Sequence, residues 1–598
     1  MLRFFSFIIF FNCSLIHAQV IHDSLRVNWS RSGIQSFILD SNMVENIMNH
    51  GASGNGISND FPALQSAFNA LSGKSGTVYF PPGTYLFNSP IHVPDSVVIK
   101  GEGSDQTFFI FDFNNQVFNC FNFWATPTTV FDSIASGFTK GSDTLVLNSN
   151  NATYQKGDFI ELRQNNGTWD TQPATWAMYS VGQIVEVDTV IGNTLKLKSS
   201  IRLNYDSALN PTIRKFIPRH NAGIQCLRFT RRDSLAPSIN YGIYFYYAAN
   251  CFVKGVESNK QIGAHVWSEY STNLEFIGNY FHHAYEYSGS STKGYGLVLA
   301  QHSNECKVEN NIFSHLRHSM MVKQGANGNA FVHNYSTEPI RSEFPSDAGA
   351  DISLHGHFPF ANLFEGNIIQ NLGIDQSWGP AGPYNTFFRN RIEKYGIIVS
   401  SGSVQSDKQN MVGNDVTSSQ PFQGNYILSG SSHFLYGNNI KGTIQPSGTA
   451  MLPDSSYFYN SVPNFWNITQ NWPNIGTPNT FNNQNIPARE RYLNQPIKTI
   501  CDSVIVASSE ELNQNVQAPF VVVNNASALV GIKFTKENES FECSLMDVSG
   551  RLVWKKMINT YNSSDYLWFS AQQFERGLYF LSVRNGKQIF SHSVVIMD

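Results

Sequence analysis

Charge is what this chain has least of. Only 14% of its 598 residues are Asp, Glu, Lys or Arg, where soluble domains carry about a quarter, and 40 basic against 44 acidic residues leave a net charge of −4. No long basic run stands out, so the electrostatic footprint of a nucleic-acid binder is missing. Cysteine is scarce as well, with seven in all and no CxxC pair. That spacing argues against a cysteine zinc site and against a dense disulfide framework. Cys120, Cys226, Cys251, Cys306, Cys501 and Cys543 are expected to be buried free thiols. Beyond the first 20 residues no segment is apolar enough to span a membrane.

Glycine (44), phenylalanine (46) and tyrosine (25) are plentiful, a composition that favours strands and turns and predicts an all-β chain. At this length one ordinary core is too small, which leaves several domains or an elongated repeat array. The opening MLRFFSFIIFFNCSLIHAQV has Arg3 before a short apolar run and a small-residue site near Ala18. Residues 1–18 are therefore read as a cleaved signal peptide. Cys13 lacks the small preceding residues that a lipidated cysteine needs.

Seven segments, FIGNYF, VENNIF, FVHNYS, FEGNII, FFRNRI, MVGNDV and LYGNNI, share an apolar-x-x-Asn pattern with asparagine at 279, 311, 334, 367, 390, 414 and 438. The spacings of 32, 23, 33, 23, 24 and 24 give a period of 23 to 24 with two insertions of about nine residues, the signature of a solenoid with one coil per repeat. Asparagine suits the tight turn by tolerating the left-handed conformation and bonding to its neighbours above and below. Glu365 falls in the strand entering that turn and is read as scaffold.

The apolar pairs Ala264/Val266, Leu297/Leu299, Met320/Val322, Ile352/Leu354 and Leu372/Ile374 precede these motifs and point inward by alternation. The residues that follow, Trp267, Ala300, Lys323, His355 and Asp375, then form an outward row. Two positions on lie Glu269, His302, Gly325, His357 and Ser377. Stacking of Lys323, His355 and Asp375 makes a cluster of ionisable groups beside His302, His318, His357, Trp267 and Trp378, with Arg389 and Arg391 near in sequence. Each of these is also explicable as a solvated residue on an exposed strand. HGH at 355–357 with Asp375 could bind zinc, and Asp347, Asp351 or Asp375 could bind calcium, but the ligand density is low and no metal site is assigned.

The stretch GASGNGISNDFPALQSAFNAL, with Ser58 or Asp60 as helix cap and Leu64, Phe68 and Leu71 on one face, is followed by GTVYFPPGTYLF and GEG at 101–103. Through Gly51, Ala52, Gly54, Gly56, Asp60, Gln65, Phe80, Pro81, Gly83 and Tyr85 this resembles the N-terminal cap of the pectate lyase superfamily of right-handed parallel β-helices, which includes polygalacturonase-like and tailspike proteins. DVSGR, Arg576-Gly577-Leu578-Tyr579 and the last strand resemble the type A C-terminal sorting domain of type IX secretion. The resemblances imply residues 36–134 as cap and first coils, 216–480 as further coils, 481–519 as linker and 520–598 as a β-sandwich sorting domain. The alternating strands of 135–215 are read as a small inserted β module.

The first resemblance implies polysaccharide chemistry in a groove along the parallel sheet. The adjacent Asp-Asp of the polygalacturonase-like hydrolases is absent, and HGH is not their Gly-His-Gly. A β-elimination lyase on a uronate polysaccharide is the first expectation, with Lys323 or His355 as base, Asp375 beside them and Arg389 or a bound ion neutralising the carboxylate. Trp267, His302, His318, His357, Trp378 and Arg391 are the expected substrate-binding residues. A glycoside hydrolase using Glu343, Asp347, Asp351 and Asp375 and a noncatalytic glycan-binding protein are the alternatives. The second resemblance implies export through the periplasm of a Bacteroidetes-type bacterium by the type IX machinery, as a monomer that is released or held at the cell surface.

Overall fold

The computed structural model describes residues 20–148, 154–234, 239–466 and 471–501, and within the C-terminal unit the seven strands between Phe520 and Ile596 together with Phe574. The expected signal peptide lies outside the described residues. No described helix is long and apolar enough to cross a membrane.

Residues 1–508 and 509–598 form two compact units. The first is an all-β, right-handed parallel β-helix. Each coil contributes a strand to a 12-stranded sheet running from Val44–Asn46 to Phe434–Tyr436, then to a 21-stranded sheet that folds into two faces. We call the 12-stranded sheet the first, and the two faces the second and third. Ile368–Ile374 and Arg391–Val399 pass round the corner and join the second face to the third.

Alternation fills the interior with one continuous core, including Val253, Phe276, Val308, Phe331, Phe364 and Phe387 on the first sheet and Val266, Leu297, Met320, Ile352, Leu372 and Ile397 on the third. The seven repeated asparagines are buried and chained together: Nδ2 of Asn279 donates to Oδ1 of Asn311 at 2.9 Å, and the links continue through 334, 367, 390, 414 and 438 at 2.9–3.0 Å. The left-handed residue of the turn is not the asparagine but the one before it, Gly278, Asn310, His333, Gly366, Arg389, Gly413 or Gly437. A second ladder, absent from the sequence reading, runs Asn329–Asn362–Asn385–Gln409 at the turn before the first sheet.

The helix Phe61–Ala70 caps the N-terminal end with Ala63, Leu64, Ala67 and Phe68 buried. Asp60 stands at its N-cap position, but its carboxylate accepts from Ser53 and from the Leu86 amide instead of the helix. Residues 132–216 close into a six-stranded antiparallel barrel around Leu145, Ile160, Leu162, Val185, Val187 and Ile213.

The outer face of the first sheet is covered. Trp29 donates to the Ala361 carbonyl and packs with Phe388, Val412 and Tyr457, while Arg491 of the helix Pro487–Asn494 bonds to Asn310. Cys226 is bonded to Cys501 across 275 residues, correcting the expectation of free thiols at those two positions. Ile500, next to Cys501, donates to the Gly278 carbonyl at the turn after the first sheet, so positions distant in sequence meet. Cys120, Cys251, Cys306 and Cys543 are buried and free. Among its described residues the second unit has two antiparallel sheets, of three and four strands, with Cys543, Leu545, Leu581 and Val583 buried.

Candidate functional site

The outer face of the third sheet carries the titratable row. Leu299 pairs with Val322, Val322 with Leu354 and Leu354 with Ile374, so the next residues, Ala300, Lys323, His355 and Asp375, lie side by side. Backbone bonds from Lys323 to Leu299, His355 to Val322 and Asp375 to Leu354 hold them in register. The first member differs from the sequence reading. Trp267 pairs with Val298, one pleat earlier, and Glu269 pairs with Ala300. Ser268 occupies the inward position equivalent to Leu299 and bonds to the Ser303 hydroxyl, so the apolar pattern shifted the alignment by two.

The row is thus Glu269, Ala300, Lys323, His355 and Asp375. Lys323 is 7% exposed, with Nζ 5.0 Å from the ring of Trp176 and 5.7 Å from that of Trp267. Its ammonium makes no hydrogen bond or ion pair with a described residue. Burial pulls its ammonium down to about 8 against the opposing charges of Glu269 and Asp375. Glu269 accepts from Trp267 Nε1 at 2.8 Å and from the Tyr244 hydroxyl at 3.0 Å, and burial holds its carboxyl above the ordinary range.

Nδ1 of His355 lies 2.6 Å from Oδ2 of Asp375. Burial pushes the Asp375 carboxyl up, but the charge and hydrogen bond of His355 outweigh it and leave the carboxyl below its usual range. An ionised Asp375 makes Nδ1–H the donor, so in the neutral imidazole the lone pair lies on Nε2. His318 stands behind, its ring 5.8 Å from that of His355, and burial with the charges of Arg317 and His355 drives it down to about 3. It is neutral near pH 7, with Nδ1 3.2 Å from the Ala350 carbonyl.

The inserted barrel supplies one wall. Trp176 sits in a short 3-10 turn, Thr175–Ala177, and its carbonyl accepts from Gln301 and Gln324 while its ring meets Trp378 at 5.1 Å. No period in the sequence placed Trp176 here, because the contact crosses from an insertion to coils more than a hundred residues later.

Several expected residues do other work. His357 is buried between Trp176 and Trp378 and bonds to the Gln172 carbonyl, and His302 is buried against Tyr179 and Glu161, whose carboxyl His302 and Arg214 hold at about 2 against burial. Both join barrel to helix and are closed to substrate. Arg389 is the left-handed turn residue on the first sheet, and its guanidinium is spent on the carbonyls of Leu452, Asp454, Ile475 and Thr477. Arg391 opens the strand on the second face and pairs with Glu393 at 2.8 Å. Neither arginine reaches the row, since nearness in sequence does not carry across the turns of a coil.

Among the candidate carboxylates, Asp351 is buried on the Ser336 hydroxyl and the Gln370 and Asn371 amides. Asp347 pairs with Lys394, and Glu343 accepts from the Gly289 amide. Among the described residues no three His, Cys, Asp or Glu side chains converge as metal ligands would. A cavity of about 920 Å³ lies beside Arg26, Lys140 and Arg202, and no residue of the row lines it.

Residues 44–176 match the family described as rhamnogalacturonase A/epimerase, pectate lyase-like, and residues 524–597 match the secretion system C-terminal sorting domain. No curated protein matches the chain. Among solved structures it is similar to a tailspike protein of Pseudomonas phage LKA1, at 15% identity over 66% of this chain and 62% of that one with a TM-score of 0.43. The chain thus spans less than two thirds of that tailspike. It is also similar to the A-module of a mannuronan C-5 epimerase from Azotobacter vinelandii, at 13% identity over 66% and 90% with a TM-score of 0.35. A surface adhesin of Streptococcus pneumoniae matches at 11% identity over 66% and 88%, with a TM-score of 0.32. The chain is a right-handed parallel β-helix whose N-terminal part is pectate lyase-like and whose C-terminal end is a type IX secretion sorting domain, marking it for export to the cell surface or the medium.

Proposed function

We propose that the protein is an exported polysaccharide lyase that cleaves a uronate-containing chain by β-elimination on the third sheet. The observation that carries this reading is the adjacency of Lys323 to the His355–Asp375 pair in one row. Elimination needs a cation at the uronate carboxylate, a base for the C5 proton and an acid for the leaving oxygen. Lys323, held at about 8, is mostly an ammonium at neutral pH and supplies the cation that Arg389 cannot.

Nε2 of His355 takes the C5 proton. The C5–H electron pair becomes the C4=C5 double bond, the C4–O bond breaks, and the glycosidic oxygen leaves as a hydroxyl after receiving a proton from the imidazolium. Asp375 holds the ring and stabilises its charge in transit.

The spacing of the carboxylates favours this over hydrolysis. Glu269 and Asp375 are four strand steps apart, about 19 Å at 4.8 Å per step, whereas paired glycosidase carboxylates stand roughly 5–10 Å apart. The test is a screen of the full chain on uronate-containing and neutral polysaccharides, following ultraviolet absorbance of the unsaturated product together with reducing ends. Unsaturated product lost in Lys323→Ala and His355→Ala supports the lyase. Reducing ends without absorbance would make it a hydrolase, and silence across the panel would turn the reading to binding alone.

A further inference from the structure

The strands on the N-terminal side of the row carry an unassigned feature. Phe121, Phe123, Ile243, Phe245 and Val266 are all core residues, so the alternate positions of Phe121–Trp124, Tyr241–Tyr246 and Ala264–Glu269 face outward. Those positions hold Trp124, Tyr244, Tyr246 and Trp267, with Tyr244 paired to Trp267 and Tyr246 to Trp124 across the strands. Tyr241 lies flat on Trp267, at 4.7 Å and 11°, and Tyr244 stacks with Tyr246 at 5.9 Å. His92 continues the surface beside Trp124, at 5.8 Å.

Trp124 is 52% exposed and the three tyrosines are half-buried, while Trp267 is 5% exposed beneath Tyr241 and backs the surface. Glu269 fixes two of the ring planes by accepting from Trp267 and Tyr244. On the other side of the row the outward residues are Ile398, Ser400 and Ile427, with no aromatic among them.

We propose that this surface is a one-sided aromatic platform that binds consecutive pyranose rings of a polysaccharide, fixing which side of the reacting bond is held. The proposal rests on the reading of the third sheet as the polysaccharide groove. The platform's three strands span two strand steps, about 10 Å, and Lys323 lies two steps further on, so the run from Trp124 to the row, about 19 Å, suits an oligosaccharide rather than a single sugar. Rings stack on the apolar faces of sugars and need no charge to do so. No outward residue of the three strands is Lys or Arg, so the platform does not grip carboxylates or a phosphate backbone. Its affinity is therefore insensitive to salt, unlike a site built on cations.

The test is affinity electrophoresis of the full chain in gels containing polygalacturonate, alginate or a soluble β-glucan, at low and high salt. At least one polymer is expected to retard the wild type equally at both salt levels. Trp124→Ala with Tyr246→Ala should weaken that retardation at least tenfold, Trp124→Phe should restore most of the loss due to Trp124→Ala, and Phe422→Ala, an exposed aromatic in another loop, should leave it unchanged. No retardation by any of the three, equal retardation of the double variant, or retardation that collapses with salt would overturn the platform. Lys323→Ala separates the two readings: it should lose the unsaturated product while keeping the retardation seen at high salt, where the lysine cation contributes least. If it keeps full turnover, the lyase assignment fails while the platform stands.

Discussion

His355 and Asp375, twenty residues apart in sequence, are neighbours on adjacent strands, with Nδ1 2.6 Å from Oδ2. The pair sets the tautomer, so Nε2 is the atom offered to substrate. Asp375→Asn keeps the shape but removes the charge that orients and stabilises the ring. Turnover is expected to fall about 100-fold or more, with a smaller change in KM, measured as the initial rate of unsaturated product.

Activity should decline above pH about 8 along a one-proton limb, because burial holds Lys323 at about 8 and the cation disappears as it deprotonates. Lys323→Arg should move that limb to higher pH wherever the variant retains turnover, and a pH–rate profile of both proteins checks it.

The same lysine affects stability. Its folded-state value lies below the ordinary 10.5, so the buried ammonium costs stability below pH 8, and the cost fades as pH rises from 8 to 10.5. Lys323→Met should therefore melt higher than the wild type at pH 7, with the difference shrinking by pH 10.5, as read by thermal unfolding at both values.

Asn367 accepts from both the amide and Nδ2 of Asn334 and donates to the Phe331 carbonyl, all of them buried. Asn367→Ala leaves those groups without partners and should cost about 2–4 kcal/mol, measured by denaturant unfolding of the β-helix.

Cys501→Ser should lower stability by about 2–5 kcal/mol, since the bond to Cys226 closes a 275-residue loop. Adding reductant to the wild type should reproduce the variant's melting curve, while the variant itself should not respond.

The coils were legible in the sequence because a buried ladder needs asparagine at the same place in every turn. The left-handed residue precedes the asparagine and was not legible, since Gly278, Gly366, Gly413 and Gly437 share that position with Asn310, His333 and Arg389 and show no single-residue pattern. Lys323, His355 and Asp375 aligned correctly because each follows an apolar pair facing the core. Glu269 was displaced by Trp267 because Ser268, polar yet inward, hid the register of its strand.

The sequence by itself determined the repeat, the stacking of Lys323, His355 and Asp375 and the two recognisable ends of the chain, all of which depend on local pattern and period. Only the tertiary structure decided that Trp176 overlies Lys323, that His302 and His357 are joints rather than ligands for substrate, and that Arg389 serves the turn of the first sheet. Those outcomes depend on how an inserted barrel and a long covering segment pack against coils far away in sequence, and packing between distant segments leaves no period to read.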